Sequence, residues 1–202
     1  MSINTLVEQL KEAGQDFELY PTSAEMIRVI WEHRRKPYAD GSGHSTKDFG
    51  DVLDIGCGTC NFKRFIDEFN EPYLERHQSG REEYINRQNC VNIGKYYVME
   101  KSRILLDRLD AETIVLGTDF WENTLIDKPV GTIFCNPPYS QYEEWTARII
   151  RESVCDSIYL VIPQRWKNSE KIKLALETVT TPYNRFSDTF EDKEKAQVLG
   201  SF

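Results

Sequence analysis

The 202-residue sequence predicts an α/β fold, a mostly parallel sheet with helices on both faces. Two observations predict it. Short unbroken apolar runs, the pattern of strands buried on both sides, recur along the chain with helix-period segments between them. Four of these runs also end on residues that a buried strand does not need: a glycine turn, two acids and an Asn-Pro-Pro-Tyr corner. In open parallel sheets, ligands sit beyond the carboxyl ends of the strands.

The elements follow in order. Asn4 to Ala13 suits a short helix stopped by Gly14. Phe17 to Thr22, FELYPT, reads as an extended stretch running into proline. Thr22-Ser23-Ala24-Glu25 has capping-box spacing, so a second helix is expected from Ser23 to Arg35. Pro37 to Gly50 is rich in turn formers and reads as a loop. Asp51 to Ile55 is a strand entering Gly56-Cys57-Gly58, and Asn61 to Phe69 is a helix with Phe62, Phe65, Ile66 and Phe69 on one face. The polar segment from Asn70 to Lys95 delays the next strand too long for a simple strand-helix-strand unit and reads as an insertion. Then come a strand at Tyr96 to Glu100, a helix at Ser102 to Leu109, strands at Thr113 to Leu116 and Gly131 to Cys135, a helix at Tyr142 to Glu152 and a strand at Ser157 to Ile162.

Composition narrows the function. Hydrophobic residues at 40% and charged residues at 29% fit one ordinary globular domain spanning 1–202. No run approaches the length of a membrane span, and the first residues do not read as a signal peptide, so a cytoplasmic setting is expected. The net charge of −8 counts against a tight stand-alone grip on duplex DNA. Five cysteines at irregular spacing make a poor disulfide framework, and His33, His44 and His77 show no metal-ligand spacing, so no metal site is expected.

The strand ends carry the chemistry. Gly56 and Gly58 let the backbone turn sharply and approach a ligand. A dinucleotide-binding turn wants a third glycine where Asn61 stands, which disfavours a dehydrogenase. Glu100 can accept both hydroxyls of a ribose, and Asp119 can accept from an adenine amino group with Phe120 stacking nearby. Asn136-Pro137-Pro138-Tyr139 ends the next strand in a rigid turn. Its Asn136 side-chain oxygen and Pro137 carbonyl can accept from one planar NH₂ group while Tyr139 stacks the ring that bears it. Cys57 and Cys60 form a C-x-x-C at the first turn, but beside these motifs they read as small residues around a cofactor loop. Cys135 reads as core.

Together these motifs resemble the Rossmann-like S-adenosylmethionine-dependent methyltransferases, and NPPY resembles the signature of their amino-methylating branch. FELYPT before the first strand resembles the extra cofactor motif of Dam-like and phage-type DNA adenine methyltransferases. The resemblance spans roughly Phe17 to Pro163. It implies that Tyr20, Pro21 and Thr22 within the N-terminal segment 1–35 close the methionine end of S-adenosylmethionine. It further implies that Asp54, Gly56, Cys57 and Gly58 line the cofactor's amino-acid part, that Glu100 holds its ribose, that Asp119 with Phe120 holds its adenine, and that Asn136 to Tyr139 hold the target amine. The implied substrate is adenine in DNA, single-stranded or flipped. RNA bases and protein glutamine are the alternatives, and a catalytically inactive binding protein on the same fold is another.

The chain departs from that family in three places, one being that the insertion at Asn70 to Lys95 is too short and too mixed in charge to substitute for a recognition domain. The short connection from Asp119 to Asn136 leaves no room for the DNA-recognition domain that Dam carries there, so a partner or a missing C-terminal region is expected to supply sequence recognition. The antiparallel pair that closes the family's sheet has only Tyr183 to Phe190 and Ala196 to Phe202 as candidates, so the last strand is expected to be truncated at Phe202. After the fifth strand, Arg165, Trp166 and Lys167 form a basic stretch with an interleaved aromatic, expected to touch phosphates and a base. Arg34-Arg35-Lys36, Arg148 and Arg151 read as surface charge.

Overall fold

A computed structural model describes residues 3–35, 48–74 and 90–179. Most of the loop expected at 37–50, the centre of the 70–95 insertion and both candidate C-terminal strands lie outside the described residues.

Among the described residues, five strands form one parallel sheet: β1 (Val52–Ile55), β2 (Tyr96–Met99), β3 (Ile114–Gly117), β4 (Thr132–Cys135) and β5 (Ser157–Leu160), in the order β3-β2-β1-β4-β5. Side chains alternate across it. Val52, Tyr96, Val98, Phe134 and Tyr159 pack beneath the helices Ala24–Arg35 and Asn61–Leu74, against Ile27, Ile30, Trp31, Phe62 and Ile66. Leu53, Ile55, Met99, Ile133, Cys135 and Leu160 pack on the opposite face, against Tyr142 and Ile149 of helix Tyr142–Glu152 and Ile172 of helix Glu170–Val179. Helices thus cover both faces, which is why the inner strands are largely apolar, with Asp54 of β1 and Thr132 of β4 as buried polar residues. The first helix, Ile3–Glu12, stands apart and packs Leu6 and Leu10 on Leu105.

Three local expectations are corrected. The FELYPT segment is not extended throughout: Phe17 and Glu18 take left-handed backbone, with φ of 39° and 58°. The second helix is capped by Ser23, whose Oγ accepts from Met26 N at 3.4 Å, so the cap falls one residue after Thr22. The helix expected from Ser102 to Leu109 covers only Arg103–Leu106. In addition, β3 is an edge strand, and its Ile114 and Val115 stand 41% and 44% exposed although the run is as apolar as the inner ones.

Arg34 and Arg148 are not loose surface charge. Arg34 donates to the Asp48 carbonyl and to Ser157 Oγ, tying the end of its helix to the starts of β1 and β5. Arg148 donates to the Phe120 and Asn123 carbonyls at 2.8 Å each and fixes the turn after β3. Among the described residues, no helix is long and apolar enough to cross a membrane.

Candidate functional site

The strand order reverses between β1 and β4, since β1 continues leftward through β2 and β4 continues rightward to β5. The two strands are in register, with Ile55 opposite Cys135, so Gly56 and Asn136 emerge side by side at the carboxyl edge. A crevice at such a reversal is where open sheets bind ligands. A cleft of about 230 Å³ opens there, lined by Gly56, Glu100, Asp119, Phe120, Asn136 and Pro138 among others. A smaller cavity of about 20 Å³ continues from it between Tyr20-Pro21-Thr22 and the turn Gly56-Cys57-Gly58. Four strand ends and the N-terminal segment therefore meet in one place.

The glycine turn is built by left-handed backbone at Gly56 and Gly58, with φ of 71° and 57°. Gly56 N returns to the Met99 carbonyl at 2.8 Å, and Gly58 N donates to Glu100 Oε2 at 2.9 Å. Glu100 Oε1 accepts from Ser102 N at 2.7 Å. Burial pushes the Glu100 carboxyl above its ordinary value, against the pull of these backbone N–H groups. Each carboxylate oxygen has two lone-pair directions, so further donors from the cleft can be accepted.

Asp54 lies beneath the turn and is fully buried. Its Oδ2 accepts from the Tyr96 hydroxyl, while its Oδ1 has no hydrogen-bond partner among the described residues. Burial pushes the Asp54 carboxyl up to about 7, the Tyr96 hydroxyl pulls it down, and the negative charge of Glu100 adds to the rise. An unpartnered carboxylate oxygen beside a small polar cavity is an unmet demand for a donor.

The thiols of Cys57 and Cys60 are both free. The hydrogen bond to Cys60, burial and the nearby Asp54 all raise the Cys57 thiol far above its ordinary value, the opposite of what a redox C-x-x-C needs. Cys135 is fully buried in the core.

Asp119 caps the short turn Phe120–Glu122 through Trp121 N at 2.8 Å, and Lys101 Nζ pairs with its other oxygen at 2.8 Å. The lysine and then the Trp121 amide hold its carboxyl below the ordinary value. Phe120 does not present an open ring. Trp145 stacks on it with centroids 4.2 Å apart, and the Arg148 guanidinium lies over it at 4.9 Å. Trp121 and Phe17 are both exposed aromatics lining this end of the cleft, and Lys101 Nζ lies over the Phe17 ring at 5.3 Å.

The Asn136 amide is held by both segments it faces. Its Nδ2 donates to the Tyr20 carbonyl at 2.8 Å and to Thr22 Oγ1 at 3.2 Å. Both hydrogens are thereby directed into the N-terminal segment, and Oδ1 accepts from nothing among the described residues. The Pro137 carbonyl is also without a described donor, whereas the Pro138 carbonyl accepts from Gln141 N at 3.0 Å. Tyr139 stands outside the cleft rim, 50% exposed.

The basic stretch divides. The Arg165 Nη1 donates to the Tyr139 hydroxyl at 2.7 Å, and its guanidinium lies over the Tyr139 ring at 4.4 Å. Lys167 is exposed. Trp166 contradicts the expectation of a base-stacking residue: it is 7% exposed and packed in the core beneath the sheet, because the turn Gln164–Asn168 points it inward.

Residues 15–22 cross the carboxyl edge as a strap. Gln15 Oε1 accepts from Ser102 Oγ and Ile104 N beyond β2. The Glu18 carboxylate accepts from Ser140 N at 3.0 Å and from the Ser140 hydroxyl beyond β4. The Thr22 carbonyl accepts from Asn61 Nδ2 at 2.8 Å. Sequence reasoning found Tyr20 to Thr22 but missed Gln15, Glu18, Lys101, Trp121 and Trp145. Lys101 and Trp121 carried a signal, each adjoining a residue already singled out. Gln15 and Glu18 carried none, since their partners lie 87 and 122 residues away. No protein-family model matches the chain, and no curated protein matches it.

Proposed function

We propose that this chain is an S-adenosylmethionine-dependent methyltransferase whose acceptor is the exocyclic amine of adenine in DNA. The orientation of the Asn136 amide carries the proposal. With both amide hydrogens committed to Tyr20 and Thr22, Oδ1 is left as an acceptor on a residue that lines the cleft, and the Pro137 carbonyl next in the chain has no donor among the described residues. Two acceptors of this kind suit the two hydrogens of one flat NH₂ group.

The residues present fit the proposed cofactor. The unpartnered Asp54 Oδ1 offers a site for the ammonium of a methionine moiety. Glu100 faces the cleft with lone pairs to spare for ribose hydroxyls, and Asp119 and Trp121 flank the far end, where an adenine would lie. S-adenosylmethionine, when bound, supplies an electrophilic methyl group on a sulfonium. The protein's part is positioning and electrostatics. Asn136 Oδ1 and the Pro137 carbonyl draw the amine hydrogens to one side, free the nitrogen lone pair, and stabilise the positive charge that grows on nitrogen. The proton then leaves to water, so no side chain with an altered pKa is required as a base. A base buried in duplex has to leave the stack to reach this corner.

The test is a methyl-transfer assay with single-stranded DNA, duplex DNA, RNA and a glutamine-bearing protein as acceptors. Label is expected on adenine in single-stranded DNA. The substitution Asn136→Ala should reduce turnover by roughly 100-fold or more, while calorimetry finds the cofactor Kd changed by no more than about fivefold, the worth of one hydrogen bond. Absence of S-adenosylmethionine binding by the wild type would refute the proposal, and label on glutamine alone would move the substrate to protein.

A further inference from the structure

The Arg165 guanidinium covers one face of Tyr139, the ring on which the reading above stacks its acceptor. It lies over the Tyr139 ring at 4.4 Å and over the Tyr142 ring at 5.2 Å, and it donates to the Tyr139 hydroxyl at 2.7 Å. Tyr139 follows directly on the Asn136-Pro137-Pro138 corner, so a flat ring that reaches Asn136 and stacks on the tyrosine face now under Arg165 would displace the guanidinium. A displaced arginine keeps its charge. It lies exposed on the turn Gln164–Asn168, beside Tyr139.

Lys171 pairs with Glu144 and Lys173 with Glu170, but neither Arg165 nor Lys167 meets a carboxylate among the described residues. On a chain of net charge −8, a guanidinium laid over two tyrosines with no carboxylate partner among the described residues is an arrangement suited to an aromatic ring linked to an anion. Nucleotides have that composition, a π-face joined to a phosphate, and stacking platforms flanked by cations are how single strands are held. A glutamine side chain has neither part.

We propose that Arg165 is a specificity residue that holds the acceptor's place on Tyr139 and, when the ring arrives, exchanges it for a phosphate of the same strand. The inference rests on the methyl-transfer reading above and narrows its acceptor to a nucleic-acid strand over protein glutamine. It makes two opposite demands on one side chain: removing Arg165 uncovers the stacking face and also removes the phosphate contact.

The experiment compares wild type, Arg165→Ala and Arg165→Lys with two acceptors, an adenine-containing single-stranded oligodeoxynucleotide and the uncharged nucleoside adenosine, across a series of salt concentrations. Thermal melting confirms that the variants fold. For the oligonucleotide, Arg165→Ala should raise KM by about tenfold near 0.1 M salt and reduce the slope of log KM against log salt by roughly 0.7, the share of one phosphate on a single strand. For adenosine the same variant should leave KM unchanged or lower it. Arg165→Lys should keep most of the salt slope. An unchanged KM and slope in Arg165→Ala, or an equal rise in KM for both acceptors, would overturn this inference alone, provided the wild type is active. A wild type that binds S-adenosylmethionine but methylates only glutamine would overturn the nucleic-acid reading and this one with it.

Discussion

Asn136 Nδ2 donates to the Tyr20 carbonyl at 2.8 Å, joining the end of β4 to a segment 116 residues earlier in the chain. The bond fixes the amide's sense, and losing it has a structural cost separate from any loss of turnover. Asn136→Ala should lower stability by about 1 kcal/mol, seen as a melting point about 2–4 °C lower for a chain of this size. A drop of 10 °C or more would mean that the corner is a folding element first.

The buried Asp54 predicts a stability that depends on pH. Its carboxyl titrates near 7 in the folded chain and near 3.9 when unfolded. Between those values the folded state holds the extra proton. Stability therefore falls as pH rises from about 4 through about 7 and is level above that, by no more than about 4 kcal/mol in all. Asp54→Asn should flatten this fall and raise the melting point at pH 8, because an amide oxygen still accepts from Tyr96. An ammonium ligand prefers the charged carboxylate, so the wild-type cofactor affinity should weaken as pH drops below about 7, and the variant's should not. Equal pH profiles for the two proteins would refute the assignment.

Gly58 meets the strap closely. A Cβ there would lie 2.9 Å from Leu19 Cδ1, on backbone with φ of 57°. Gly58→Ala should cost about 1 kcal/mol or more from the left-handed backbone alone, and cofactor affinity should fall as Leu19 is pushed aside. Adding Leu19→Ala should recover part of the affinity but none of the backbone strain. Titration calorimetry on the single and double variants separates the two effects.

Trp166 is a core residue. Trp166→Ala should destabilise by about 3–5 kcal/mol in urea unfolding. Trp166→Phe should be far milder, since the indole Nε1 has no hydrogen-bond partner to lose. A stable Trp166→Ala variant with weakened DNA binding would restore the expectation read from the sequence.

The strands were legible because each is a short apolar run with a turn residue after it, and periodicity carries that information directly. Gly56, Glu100, Asp119 and Asn136 were legible as a group because the parallel fold sends every strand end to the same edge. Side-chain direction was not legible. Trp166 and Arg165 are adjacent, and only the turn Gln164–Asn168 decides that one enters the core while the other covers Tyr139. Phe120 looked like a free ring beside an acid, but Trp145 and Arg148, reaching it from helix Tyr142–Glu152, take its faces. The capping box misplaced the helix start because Thr22 Oγ1 accepts from Asn136, a partner that local spacing cannot reveal.

The strap roofs the small cavity over Asp54 and also supplies both acceptors for the Asn136 amide. On the methyl-transfer reading proposed above, a donor reaching Asp54 has to pass beneath that roof, and lifting the roof would untie Asn136. While one ligand is entering, the grip for the other is dismantled. The two ligands therefore have to arrive in a fixed order, donor before acceptor, and an initial-rate study should find ordered rather than random kinetics.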